Sequence, residues 1–203
     1  LAADYGKDIL IEKPLAMTVE ECDEMIEACD KHHVKLQVGF MRRYDRGYAA
    51  MKQAIESGEI GAPLMIHSCH RNMSQAPGFA TDYAVTRVAI HEIDISRWLL
   101  DDEYATAQVL AVRQSKNTQG DWLNPQIMML TTRSGQRIDV EVQTDGAYAY
   151  DIQCQVVGED GTVSLPDPSA VVKRAGAACS FPIMTDWSQR FIEAYDIEFD
   201  AWA

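Results

Sequence analysis

The sequence predicts an α/β segment followed by an α+β domain, whose large open sheet is mostly antiparallel with helices on one face. Three observations carry this. An apolar run, a capped amphipathic helix and a second apolar run succeed one another within residues 9–40, the pattern of a parallel βαβ unit. From residue 105 onward, short β-rich runs separated by turn signals take over. Among them Ile138, Val140 and Val142 alternate strictly with Arg137, Asp139, Glu141 and Gln143, which makes a strand with one buried and one polar face.

The elements follow in order. Ile9, Leu10 and Ile11 end a buried strand. Thr18 and Glu21 form a capping box, with Thr18 as N-cap and Glu21 reaching back. The helix it opens carries Val19, Cys22, Ile26 and Cys29 on one stripe and ends near Lys31, His32 and His33, cations suited to a helix C-terminus. A strand over 34–40 completes the unit. Asp45 caps a helix carrying Tyr48, Met51 and Ile55, stopped at Ser57 and Gly58. A strand over 64–73, a Gly/Pro-bearing loop over 74–82 and a helix over 85–100 come next. Strands are then expected over 107–115, 127–132, 137–143, 150–157 and 161–165, mostly as a meander, with hairpin turns at Ser134-Gly135 and Glu159-Asp160-Gly161. A loop over 166–182 leads to a helix over 185–202 with Trp187, Phe191 and Tyr195 on one face. Two domains are expected, 1–41 and 42–203.

Composition excludes several classes. The chain has 203 residues, 47% of them hydrophobic and 24% charged, enough to bury a substantial core. Thirty-one acidic against 18 basic residues give a net charge of −13, which disfavours nucleic acid and anionic membranes as partners. No apolar run is long enough to span a membrane. The five cysteines are scattered and lack CxxC spacing, as expected of reduced thiols in a cytoplasmic protein. His67, Cys69 and His70 invite a metal reading, but on a strand His70 faces away from the other two. No metal is expected. The chain opens at Leu1 and closes inside a helical pattern, so both ends are expected to be cut from a longer protein.

Ile11-Glu12-Lys13-Pro14 sets an ammonium at the mouth of a strand, where open α/β sheets bind ligands. Pro14 fixes its own φ and pushes Lys13 out of helix. This Glu-Lys-Pro run resembles the signature of the Gfo/Idh/MocA superfamily (glucose-fructose oxidoreductase, inositol dehydrogenase, rhizopine catabolism), whose members are NAD(P)-dependent. The segments Gln37 to Asp45, His91 to Leu100 and Gly158 to Val163 extend the resemblance over nearly the whole chain, nearest to the inositol 2-dehydrogenase branch.

The resemblance implies that 1–41 is the C-terminal part of a Rossmann domain and that 42–203 is a substrate-binding and oligomerisation domain. It implies NAD, or NADP, as cofactor, with Glu12, Lys13 and Pro14 at the nicotinamide. It implies a polyol substrate, myo-inositol oxidised to its 2-keto form, and a homodimer or homotetramer joined through the open sheet. No G-x-G-x-x-G occurs in the chain, so the pyrophosphate-binding turn is expected upstream of Leu1. This stretch by itself is expected to bind NAD poorly.

Oxidising a secondary alcohol needs a base for the hydroxyl proton, a donor for the developing alkoxide and a hydride acceptor. His91 titrates near neutrality and shares an inward stripe with Val88, Ile95 and Trp98. It is the candidate base, Lys13 the candidate electrophilic partner. The alternative for His91 is a core histidine. Arg43, His70, Asn72 and Tyr150 match polar substrate positions of the inositol branch. Their ordinary alternatives are an Arg43–Asp45 pair, a strand end at Asn72 and a core role for Tyr150. Arg42 and Asp94 are expected to be structural.

One position departs from the branch. Arg87 stands four residues before His91, where an Asp is often found. On one helix face its charge would depress the His91 pKa and remove an acceptor for sugar hydroxyls. Otherwise Arg87 points to solvent and Asp82 or another residue serves instead. A related sugar or polyol dehydrogenase and a non-catalytic NAD- or sugar-sensing regulator are the alternative functions.

Overall fold

The computed structural model describes residues 1–118, 120–166 and 171–203. Strands β1 (Ile9–Glu12) and β2 (Leu36–Gly39) pair in parallel, with Ile9 opposite Leu36 and Glu12 opposite Gly39. Helix α1 (Val19–His32) connects them. Its capping box is formed: Glu21 N donates to Thr18 Oγ1 at 3.2 Å, and Thr18 N donates to the Glu21 carboxylate at 3.1 Å. His33 ends the helix in the left-handed region, φ 55°. The strand expected to be buried is only half-buried, and of the α1 stripe Cys29 alone is buried while Val19 and Ile26 are exposed. One helix covers only one side of a two-stranded sheet.

The larger sheet has six strands. They are β3 (Pro63–Arg71), β4 (Tyr104–Ala111), β5 (Gln126–Thr132), β6 (Arg137–Gln143), β7 (Asp151–Gly158) and β8 (Thr162–Ser164), in spatial order β4-β5-β6-β3-β7-β8. This corrects the simple meander. β3 is inserted between β6 and β7, parallel to the first and antiparallel to the second. Ser68 and His70 of β3 thereby lie opposite Val140 and Val142 on one side and Cys154 and Ile152 on the other. The inward face carries Ile66, Met128, Leu130, Ile138, Val140, Val142, Cys154 and Val156, all buried, as the alternation in β6 predicts. The outward face is polar. Arg71 holds Glu141 with two bonds of 2.7 Å and Asp151 at 2.9 Å, and His67 meets Asp139 at 2.5 Å.

Gly158 closes β7 where a side chain has no room: a Cβ there would lie 2.1 Å from the Ile60 carbonyl oxygen. Within the loop expected over 166–182, β9 (Lys173–Ala175) and β10 (Ala178–Ser180) form a small hairpin, and 167–170 lie outside the described residues. Among the described residues no helix is long and apolar enough to cross a membrane.

Helices α2 (Arg46–Glu56) and α3 (Ile90–Leu100) add to the inward core through Tyr48, Met51, Ile95 and Leu99. The expected 85–100 helix is not uniform, since Ala84–Ala89 winds as a π-helix before α3 begins. Helix α4 (Trp187–Trp202) plants Phe191 in the same core.

Asp45 ties two of these helices together. Gly47 N and Tyr48 N donate to its Oδ1 at 3.0 and 3.1 Å, capping α2, and Arg190 of α4 donates to both of its oxygens, at 2.5 and 3.1 Å. Asp45→Ala removes the cap and strands the half-buried Arg190. The expected loss is about 2 kcal/mol, read as a lower urea midpoint. Asp45→Asn, which keeps the cap acceptor, is expected to lose less.

Candidate active site

β1 delivers Lys13 to a cavity of about 400 Å³. The Lys13-Pro14 peptide is cis. Lys13 Nζ donates to the Arg87 carbonyl oxygen at 2.8 Å, which fixes the ammonium against the π-helical turn before α3. His91, one residue into α3, faces the same cavity, as do His70 and Asn72 at the end of β3, Tyr150, Arg87 and Tyr83. A larger hollow of about 520 Å³ lies along the outward sheet face and contains neither Lys13 nor His91.

Of the residues expected from the sequence, Lys13, His70, Asn72, Arg87, His91 and Tyr150 are brought together. Arg43 is not. Its Nε donates to Asp94 at 2.9 Å and its guanidinium lies 5.8 Å from the Phe40 ring, outside the cavity lining. The expected Arg43–Asp45 pair does not form either: Arg43 pairs with Asp94, while Asp45 holds Arg190. Glu12 and Pro14 do not line the cavity either. Glu12 lies over Gly39, where a Cβ would come within 2.9 Å of its Oε1.

Behind the cavity stands a buried cluster that sequence reasoning missed. Arg42 donates to Glu92, and His70 Nδ1 lies 2.9 Å from the other Glu92 oxygen and 3.3 Å from an Arg42 nitrogen. Arg42 and Glu92 are each 1% exposed. The Glu92 carboxyl is held down to about 2: burial alone would raise it, but the Arg42 charge and the hydrogen bonds of Arg42 and His70 outweigh burial. Nothing local in the sequence marks Glu92 for burial, since Glu is almost never fully buried unless paired.

The cluster sets the electrostatics of the site. Burial lowers the His91 pKa well below the ordinary value, and the charges of Arg42 and Lys13 push it further. The like-charge pressure expected from Arg87 therefore comes from Arg42 and Lys13. Burial also lowers the Lys13 pKa, aided by Arg42 and Arg87 and opposed by Glu12 and Glu92. His91 Nδ1 is buried with no hydrogen-bond partner, and so is Asn72 Oδ1. The imidazole is thus neutral. Tyr150 packs edge-on to His70 at 5.7 Å. Trp187 and Tyr195 of α4 complete the lining as a T-shaped pair 5.7 Å apart. Glu198, also on α4, accepts from Phe40 N at 2.9 Å; burial and the Glu12 charge push its carboxyl up to about 7.

A cation and a neutral imidazole facing one cavity beside the carboxyl end of a parallel strand are the groups an alcohol dehydrogenation requires. The family described as GFO/IDH/MocA C-terminal domain matches residues 48–164, and the oxidoreductase family with an NAD-binding Rossmann fold matches residues 1–40. The chain belongs to the GFO/IDH/MocA oxidoreductase family. It is 50% identical over 201 residues to inositol 2-dehydrogenase of Burkholderia lata, covering 98% of this chain and 60% of that protein. It is 51% identical over 194 residues to the Serratia proteamaculans enzyme of the same name, covering 95% and 58%. The solved myo-inositol dehydrogenase of Lactobacillus casei, in complex with NAD(H) and myo-inositol, superposes with a TM-score of 0.93 at 39% identity over 98% of this chain and 59% of that one. The chain spans about 60% of the length of the curated relatives it matches.

Among the described residues no group of three or more His, Cys, Asp or Glu side chains could hold a metal ion. All five cysteines are free thiols.

Proposed function

We propose that this GFO/IDH/MocA member works within an NAD-dependent dehydrogenase that oxidises a secondary CH–OH of a polyol ring. Myo-inositol, oxidised to its 2-keto form, is the first substrate to try. The observation that carries the reading is the convergence of Lys13 and His91 on one cavity at the end of β1. Residues 1–41 form the cofactor side, and 42–203 the substrate and assembly side, with the polar outward sheet face joining subunits. The relatives named inositol 2-dehydrogenase support the cyclitol.

His91 takes the hydroxyl proton, since its imidazole is neutral. Lys13 donates a hydrogen bond to the oxygen as charge develops on it, and its depressed pKa eases exchange of that proton. Asn72 and Tyr150 close the wall beside His70. Bound NAD would supply the hydride acceptor, and Lys13, the one member of the Glu12-Lys13-Pro14 run that lines the cavity, would stand at its reacting end.

The test is NADH formation by the full-length protein with myo-inositol as a function of pH. A neutral His91 base loses activity only as pH falls through its lowered pKa. The acid limb of kcat/KM is therefore expected below the ordinary histidine value of about 6.5. An acid limb at or above that value removes His91 as the base. Cofactor binding without turnover of any cyclitol or sugar removes the dehydrogenase reading and favours a sensor.

A further inference from the structure

The cavity holds a charge that alcohol oxidation does not use. Its lining includes two cations, Lys13 and Arg87, beside His70 and His91, whose pKa values burial lowers, and no Asp or Glu. Glu92, the buried acid behind it, is already committed to Arg42 and His70. This basic pocket sits in a chain of net charge −13. Lys13 has its task at the reacting oxygen, whereas Arg87 has none there.

Arg87 is also held ready. Its guanidinium carbon lies 3.6 Å from the centre of the Tyr83 ring, and Tyr83 is itself braced edge-on by Phe79 at 5.7 Å. No salt bridge reaches Arg87 among the described residues. Stacking leaves the planar N–H fork in place for an oxyanion, the geometry that Arg offers to carboxylate and phosphate. The Arg87 carbonyl meanwhile holds Lys13 Nζ, so the clamp and the electrophile share one turn of wall.

We propose that the preferred substrate is an anionic polyol, whose carboxylate or phosphate is clamped by Arg87 while Lys13 and His91 act on a nearby hydroxyl. This rests on the alcohol-oxidation reading and names its substrate class.

The experiment compares D-glucose, D-glucuronate and D-glucose bearing a terminal phosphate, three rings that differ at one carbon. Each is assayed with NAD on the full-length protein and its Arg87→Gln variant, with myo-inositol alongside. Arg87 is exposed, so the variant keeps its fold. The wild type is expected to favour one anionic ring over glucose by about tenfold or more in kcat/KM, the scale of one charge-assisted hydrogen bond. R87Q is expected to bring that ratio close to unity, and the favoured ring tells carboxylate from phosphate. Equal use of neutral and anionic rings by the wild type, or a preference that survives R87Q, overturns the proposal. Calorimetric titration of the same rings into NAD-loaded protein reads the ratio without turnover. Arg87-dependent anion binding with no NADH from any ring keeps the anion site and removes the oxidation reading. Binding of none of the rings removes the anion site.

Discussion

Lys13→Ala in the full-length protein is expected to lower kcat by about two orders of magnitude or more, the usual loss on removing a preorganised donor from a developing oxyanion. The position of the ammonium motivates the size of the effect. It is held on the Arg87 carbonyl at 2.8 Å, in the same cavity as His91, and burial and neighbouring cations lower its pKa. A depressed ammonium is a better proton donor to an alkoxide than a solvated lysine. The structural cost should be small, because Lys13 is only partly buried and makes one hydrogen bond to the chain, worth about 1 kcal/mol. The signature is therefore a collapsed kcat with a nearly unchanged urea midpoint. Lys13→Arg is not expected to restore the rate, since a planar fork does not replace a compact donor. Near-wild-type turnover of Lys13→Ala would remove Lys13 from the chemistry.

Local order was legible where short-range physics decides it. The Thr18–Glu21 box, the Asp45 cap and the alternation through β6 need only neighbours in sequence, and all three form as expected. The position of β3 was not legible. Its partners β6 and β7 come some seventy residues or more later, and nothing local to any of the three strands specifies that β3 lies between the other two. Arg42 and Arg43 show the same limit at the scale of one residue. They sit on a tight turn, Met41–Tyr44, where successive side chains diverge by about a third of a revolution. One therefore enters the core while its neighbour turns to Asp94. The inward stripe of His91 was readable, and so was its place in the cavity. The burial of Glu92 beside it was not, because a lone charged residue in an apolar run is ordinarily at the surface.

Removing one partner of the Arg42–Glu92 pair is expected to be the most destabilising single change in the chain. Glu92→Ala leaves a guanidinium, 1% exposed, without its counter-charge, and such losses run to about 3–5 kcal/mol. Arg42→Ala leaves the carboxylate in the same position and adds a void against the Tyr48 and Phe191 rings, which lie 6.0 and 5.4 Å from the guanidinium. The pair itself need not be a net stabiliser, because both charges were taken out of water to form it. The double change Arg42→Met with Glu92→Met is accordingly expected to cost much less than the sum of the two corresponding single methionine changes, as urea denaturation of the wild type and these three variants would reveal. Additive losses would mean that the two residues do not act as a pair. The pH dependence has a definite sign. The Glu92 carboxyl is held at about 2 in the folded chain, against an ordinary 4.5. Its contribution is present above the unfolded value and is lost as pH falls from there through the folded one. Wild-type stability should fall over that acid window, while Glu92→Ala should fall less steeply across it. Equal slopes would show that the Glu92 charge is not what holds this cluster behind the cavity.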